Sequence, residues 1–126
     1  MDLTVIIPTY QRPQYAKRQI AFWSGRAVFV IVVDGSDECL VFPDQPCENI
    51  IYMHNPGTFA HRVGLAARLV TTKYVVLLPD DEFYVPDALR SCVNFLEKNS
   101  DYSSCKGVSL AFRRNKKNGE CEAISN

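Results

Sequence analysis

Apolar and polar positions alternate along this chain in short blocks. Leu3 to Pro8 is a β-branched apolar run closed by proline, which predicts a strand buried on both faces. Arg12-Pro13 then opens a helix, because proline suits a first turn where its missing N–H has no intrahelical partner. Ala16, Ile20 and Trp23 recur at helical spacing while Lys17 and Arg18 point elsewhere, and Gly25 ends the helix. Ala27 to Val33 predicts a second apolar strand, with Asp34-Gly35-Ser36-Asp37 as its turn. Glu38 to Asn49 carries two prolines and no clear period, and reads as loop.

Ile50 to Met53 predicts a third strand and Asn55-Pro56-Gly57 a turn. Phe59, Val63, Ala66, Ala67 and Val70 mark the apolar stripe of a helix. Tyr74 to Leu78 predicts a fourth strand, ending at Pro79-Asp80-Asp81-Glu82. Pro86-Asp87 starts a helix with Leu89, Val93 and Leu96 on one face, and Gly107 to Phe112 predicts a fifth strand. From Arg113 the chain is polar, a hairpin arm or frayed tail, so an α/β domain is expected over 1–112 and an arm over 113–126.

Apolar strands alternating with helices imply a mostly parallel central sheet with helices on both faces. In such sheets ligands bind beyond the carboxyl ends of the strands, where the strand order reverses. The positions to inspect are therefore Pro8-Thr9-Tyr10, Asp34-Gly35-Ser36, His54-Asn55 and Pro79-Asp80-Asp81-Glu82.

Composition narrows the classes. The 126 residues suffice for one compact domain, and 47% hydrophobic with 22% charged residues is ordinary for a globular chain. Formal net charge is zero, which argues against a nucleic-acid partner gripped through its backbone. No apolar stretch is long enough to span a bilayer, leaving at most peripheral contact with a membrane, and the N-terminus lacks the basic start of a signal peptide. The five cysteines are odd in number and scattered, the pattern of free thiols in a reducing compartment, so a cytoplasmic location is expected. A zinc set of Cys39, Cys47, His54 and His61 would have spacings that match no usual pattern.

Three of the strand ends carry groups suited to a nucleoside diphosphate. Consecutive carboxylates at Asp80-Asp81-Glu82 repel one another unless a positive charge sits there, and a hard divalent cation is the usual solution. The plainer reading is a solvated acidic turn. Asp34 could accept a hydrogen bond from the imide of a uracil-like base, or simply close an Asx-turn. Tyr10 could stack on a base or pack. Arg62 and Arg68 could neutralise phosphate or line a solvated helix face.

Taken together, TVIIPTYQRP, VIVVDGSD and KYVVLLPDDEFYVPDAL resemble the N-terminal half of family 2 glycosyltransferases, from about Leu3 to about Phe112. The resemblance implies a Rossmann-like GT-A nucleotide-binding half, with a nucleotide-diphosphate sugar (a uridine diphosphate sugar favoured) as donor, manganese or magnesium as cofactor, and an acceptor hydroxyl of unknown identity. On its motifs, Pro8, Thr9 and Tyr10 would hold the nucleoside, Asp34 would read the base, Asp80 would touch the ribose, Asp81 would bind the metal, and Arg62 would contact phosphate.

The chain also departs from the family pattern. Asp34 is a single acid before Gly-Ser where relatives have two, Gln11 stands where asparagine is usual, and Pro79 stands where many relatives have aspartate. His61-Arg62-Val63-Gly64 occupies the place of an arginine-asparagine element. No motif marks a general base, Glu120 and Glu122 included, so the catalytic residue is unassigned and the chain is expected to stop short of a full enzyme. A non-catalytic nucleotide-sugar-binding module is the alternative. A nucleotidyltransferase or Walker-type ATPase would need glycines after the first strand, and a phosphoacceptor domain would need an acid pair there; PTYQRPQY has neither.

Overall fold

The computed structural model describes residues 1–42 and 46–124. Among them the elements run β1 (Leu3–Thr9), α1 (Pro13–Trp23), β2 (Phe29–Asp34), β3 (Ile50–His54), α2 (Phe59–Arg68), β4 (Tyr74–Leu77), α3 (Pro86–Lys98), β5 (Ala111–Arg114) and β6 (Cys121–Ile124). The first four strands form a parallel sheet in the order β3-β2-β1-β4. The chain is thus α/β, as its apolar strands and intervening helices predict.

Strand alternation sorts the core into two layers. Leu3, Val5 and Ile7 of β1 and Val30 and Val32 of β2 point to one side, where Ile20 and Trp23 of α1 are buried and Leu89 and Val93 of α3 pack more loosely. Ile6, Ile31 and Val33 point to the other side and meet Ala66 of α2. Each fully buried Val, Leu or Ile side chain contributes about 1.5–3 kcal/mol relative to exposure, and β1 and β2 supply most of those side chains.

The periphery is less covered than an apolar sequence suggests. Val75 and Leu77 of β4 are about half exposed, as is Ile51 of β3. The stripe expected on α2 is mostly not buried: Phe59 is exposed, and the buried residues are Arg62 and Ala66. Helix α3 buries no residue fully.

The expected fifth strand is corrected. Residues 107–110 form no regular element, and β5 starts at Ala111 and pairs antiparallel with β6, not with the parallel sheet. The apolar side chains that suggested a sheet strand are exposed, Val108 and Leu110 almost completely. Polar Asn115 closes the hairpin, its backbone N–H bonded to Glu120 O and its side chain to Glu122.

Candidate functional site

Chain reversal sets the site. From β1 the sheet grows outward through β2 and β3, and β4 then returns to the other side of β1. The switch point therefore lies at the carboxyl ends of β1 and β4. Register aligns the strand ends, with Thr9 beside Asp34 and Asp34 beside His54.

On the β4 side, Asp80 is fully buried. Its Oδ2 accepts a 2.7 Å hydrogen bond from Thr9 Oγ1, which joins the two strands across the switch point. The Arg12 guanidinium forms an ion pair with Oδ1 but lies off the hydrogen-bonding direction, so this buried oxygen has no hydrogen-bond donor among the described residues. Arg12 also approaches Asp81 Oδ2 at 3.5 Å, and the Asp81 side chain is half exposed. Beneath this turn, the buried Gln19 donates from Nε2 to the carbonyls of Asp80 (3.0 Å) and Glu82 (2.6 Å) and accepts from Trp23 Nε1. One amide thus ties α1 to the acidic turn.

On the β2 side, the Asp34 carboxylate is buried and heavily used. Oδ1 accepts from Ser36 N (2.9 Å) and Ser36 Oγ (2.5 Å), closing an Asx-turn. Oδ2 accepts from the Tyr52 hydroxyl at 2.7 Å and retains one acceptor position. Burial, and then the hydrogen bond and charge of Asp34, push the Tyr52 phenol well above its ordinary pKa, against the opposing pull of the Leu40 N–H. Ser36 also accepts from Gln11 N, and its carbonyl contacts His54 Nε2 at 2.7 Å, which requires the proton on that nitrogen.

Two backbone features make this loop possible. Gln11 has a φ of 53°, in the left-handed region that asparagine tolerates better than glutamine. Gly35 lies under the Arg62 guanidinium, which an added Cβ would overlap. Arg62 is buried, not on a solvated face, and donates to Gly57 O at 2.8 Å; its Nε has no partner among the described residues. Its guanidinium carbon stands 6.0 Å from the centre of the exposed Tyr10 ring. Arg68 is exposed.

Beside these groups opens a cleft of about 410 Å³, lined in part by Gln11, Lys17, Asp34, Ser36 and Leu40. That volume falls within the range of small-ligand sites. Residues 4–121 match the family model described as glycosyl transferase family 2. The chain belongs to glycosyl transferase family 2. No curated protein sequence matches it.

The family 2 elements recognised in the sequence thus converge on one edge of the sheet. Pro8, Thr9 and Tyr10 end β1, Asp34 ends β2, and Asp80 and Asp81 follow β4. Thr9, Asp34 and Asp80 are buried, and Tyr10 and Asp81 face outward. Arg62 reaches the Gly35 loop from α2 and so joins the Asp34 side of the site.

Residue types at the acidic turn suit a divalent cation that brings its own further ligands. Among the described residues no three His, Cys, Asp or Glu groups converge as a preformed metal cage. Asp81 offers a half-exposed carboxylate, and the undonated Asp80 Oδ1 points to the same guanidinium. Magnesium-type ions commonly take one or two carboxylates and complete their shell with phosphate and water.

Sequence reasoning named Ser36 among the strand-end positions without a role, and missed Arg12, Gln19 and Tyr52. Gln19 was the most accessible to it: a polar residue between Ala16, Ile20 and Trp23 on the buried face needs partners. Tyr52 had no such signal, because its reach to Asp34 depends on the β2–β3 register.

Proposed function

We propose that this family 2 domain is the donor-binding unit of a metal-dependent glycosyltransferase, taking a nucleotide-diphosphate sugar, with uridine diphosphate sugars favoured. The observation that carries this reading is the Thr9–Asp80 hydrogen bond beside buried Asp34, which puts two carboxylates at the ends of β2 and β4 on either side of β1. In this reading Pro8, Thr9 and Tyr10 hold the nucleoside, with the Tyr10 ring stacked on the base, and Asp80 touches the ribose. The remaining acceptor position of Asp34 Oδ2 takes the base imide. Arg62 shapes the loop beneath and contributes positive potential toward phosphate. Asp81 binds manganese or magnesium, which when present would supply Lewis acidity to the departing diphosphate. The unit occupies residues 1–112, with 113–126 as an arm.

Transfer to an acceptor hydroxyl also needs a base. Glu120 and Glu122 are engaged within the hairpin, by Asn118 Nδ2 and Asn115 Nδ2. That engagement favours, as a second reading, a module that holds the donor without completing the reaction. Among the described residues no helix is long and apolar enough to cross a membrane. The five cysteines are free thiols, which supports placing the protein in the cytoplasm.

The test is a melting screen with uridine, guanosine, adenosine and cytidine diphosphates, each with and without manganese. Uridine diphosphate with manganese is expected to raise the melting temperature by mass action. No shift with any of them at millimolar concentration would overturn the donor-binding reading.

A further inference from the structure

Three carboxylates follow one another at Asp80, Asp81 and Glu82, and among the described residues the cation in contact with two of them is Arg12, the residue that caps α1. Its backbone carbonyl is fixed by the N–H groups of Tyr15 and Ala16, so the residue cannot move as a whole. Its side chain is 45% exposed and rests against the Tyr15 ring, 5.2 Å from the ring centre, so the guanidinium can leave the carboxylates without the backbone shifting. The contact to the buried Asp80 Oδ1 is an ion pair without a directed hydrogen bond.

We propose that Arg12 is the resident counter-cation of the metal site: it neutralises Asp80 and Asp81 in the free protein, and thereby excludes a bare divalent cation until one arrives with a diphosphate. This inference rests on the donor-binding reading of the same site. A guanidinium and a divalent cation within a few ångströms repel strongly, and a pair of phosphate groups removes that conflict. The phosphates ligate the cation and give the displaced guanidinium a bidentate partner. Arg12 is in this sense a positioning residue that sets the order of metal and donor binding, with Asp81 the carboxylate it guards.

The experiment uses manganese alone, with no nucleotide. Binding is followed by electron paramagnetic resonance of the free ion and by melting, in the wild-type chain, Arg12→Gln and Arg12→Lys. Arg12→Gln leaves the buried Asp80 charge unpaired, so its metal-free melting temperature falls. Manganese alone should bind it at least about tenfold more tightly than wild type and restore much of the lost melting temperature. Arg12→Lys keeps the charge without the planar fork and should fall between the two; it carries the comparison if Arg12→Gln does not fold. Added uridine diphosphate should shrink the difference in metal affinity between wild type and variants. The proposal is overturned if manganese alone binds wild type as tightly as it binds the variants. A wild-type chain that takes no nucleoside diphosphate, with or without metal, instead sinks the donor-binding reading, whatever the metal comparison shows.

Discussion

Thr9 donates a 2.7 Å hydrogen bond to Asp80, a residue 71 positions away that lies on the far side of the strand-order switch. Both side chains are buried, so this bond holds a charged acceptor where water does not reach. Removing the donor strands Asp80 Oδ2. Thr9→Val, nearly isosteric, should lower the unfolding free energy by about 1–3 kcal/mol. Thr9→Ser keeps the hydroxyl and should lose less than about 1 kcal/mol. Urea unfolding of the two variants checks this, and a loss in Thr9→Val no larger than in Thr9→Ser would show that the buried hydroxyl contributes no more than the methyl group.

Gln11 holds a left-handed backbone at φ 53°. Substitution by glycine removes a steric penalty of about 1–2 kcal/mol, offset partly by the greater freedom of glycine in the unfolded chain. It also loses the exposed Gln11–Asp37 hydrogen bond, a small contribution. Gln11→Gly should therefore raise the denaturant midpoint modestly with an unchanged slope. A lower midpoint would show that the Asp37 contact outweighs the strain.

Gly35 and Arg62 are coupled by contact. A Cβ at Gly35 would displace the Arg62 guanidinium from Gly57 O. Gly35→Ala should cost about 1–3 kcal/mol in the wild-type background and much less in Arg62→Ala. The double-mutant cycle should give a coupling above about 0.5 kcal/mol. The same cost in both backgrounds would break the link between this glycine and this arginine.

Tyr52 makes stability pH-dependent at the alkaline end. Its folded-state pKa lies above its ordinary value, so the unfolded chain releases the phenol proton first. The contribution is fully present below about pH 10 and is lost as pH rises through and above that value, by up to about 1.4 kcal/mol per pH unit. Tyr52→Phe should flatten the fall in stability between about pH 9 and about pH 11. Some slope should remain, because burial also raises Tyr84. Unfolding series at several pH values for wild type and Tyr52→Phe measure this, and identical slopes would contradict it.

The Asp81 carboxylate is half exposed and has one ion pair among the described residues, with Arg12 at 3.5 Å. Asp81→Asn should leave metal-free stability within about 0.5 kcal/mol of wild type, the usual range for surface changes, while manganese-dependent nucleotide binding disappears. Titration calorimetry with uridine diphosphate and manganese, beside a metal-free melt, separates the two effects. A marked loss of metal-free stability would make Asp81 a structural acceptor.

The amino-acid sequence by itself determined the α/β class, the parallel strands, the helix starts at Pro13 and Pro86, and the strand ends where the site lies. Those features are local: β-branched apolar runs, proline at first turns and acids after strands are each readable within a few residues. It also carried the family, through three motifs that stand at three of those strand ends. Tertiary structure decided what each site residue does to its neighbours. Asp34 is occupied by Ser36 and Tyr52, Arg62 is buried over Gly35, and Asp80 is held by Thr9, Arg12 and, through its backbone, Gln19. These partners are 2 to 71 residues apart, and only strand order and register bring most of them together. The expected fifth strand failed for the same reason: Gly107 to Phe112 has strand-like composition, but strand identity is settled by a pairing partner, and β5 found its partner in β6.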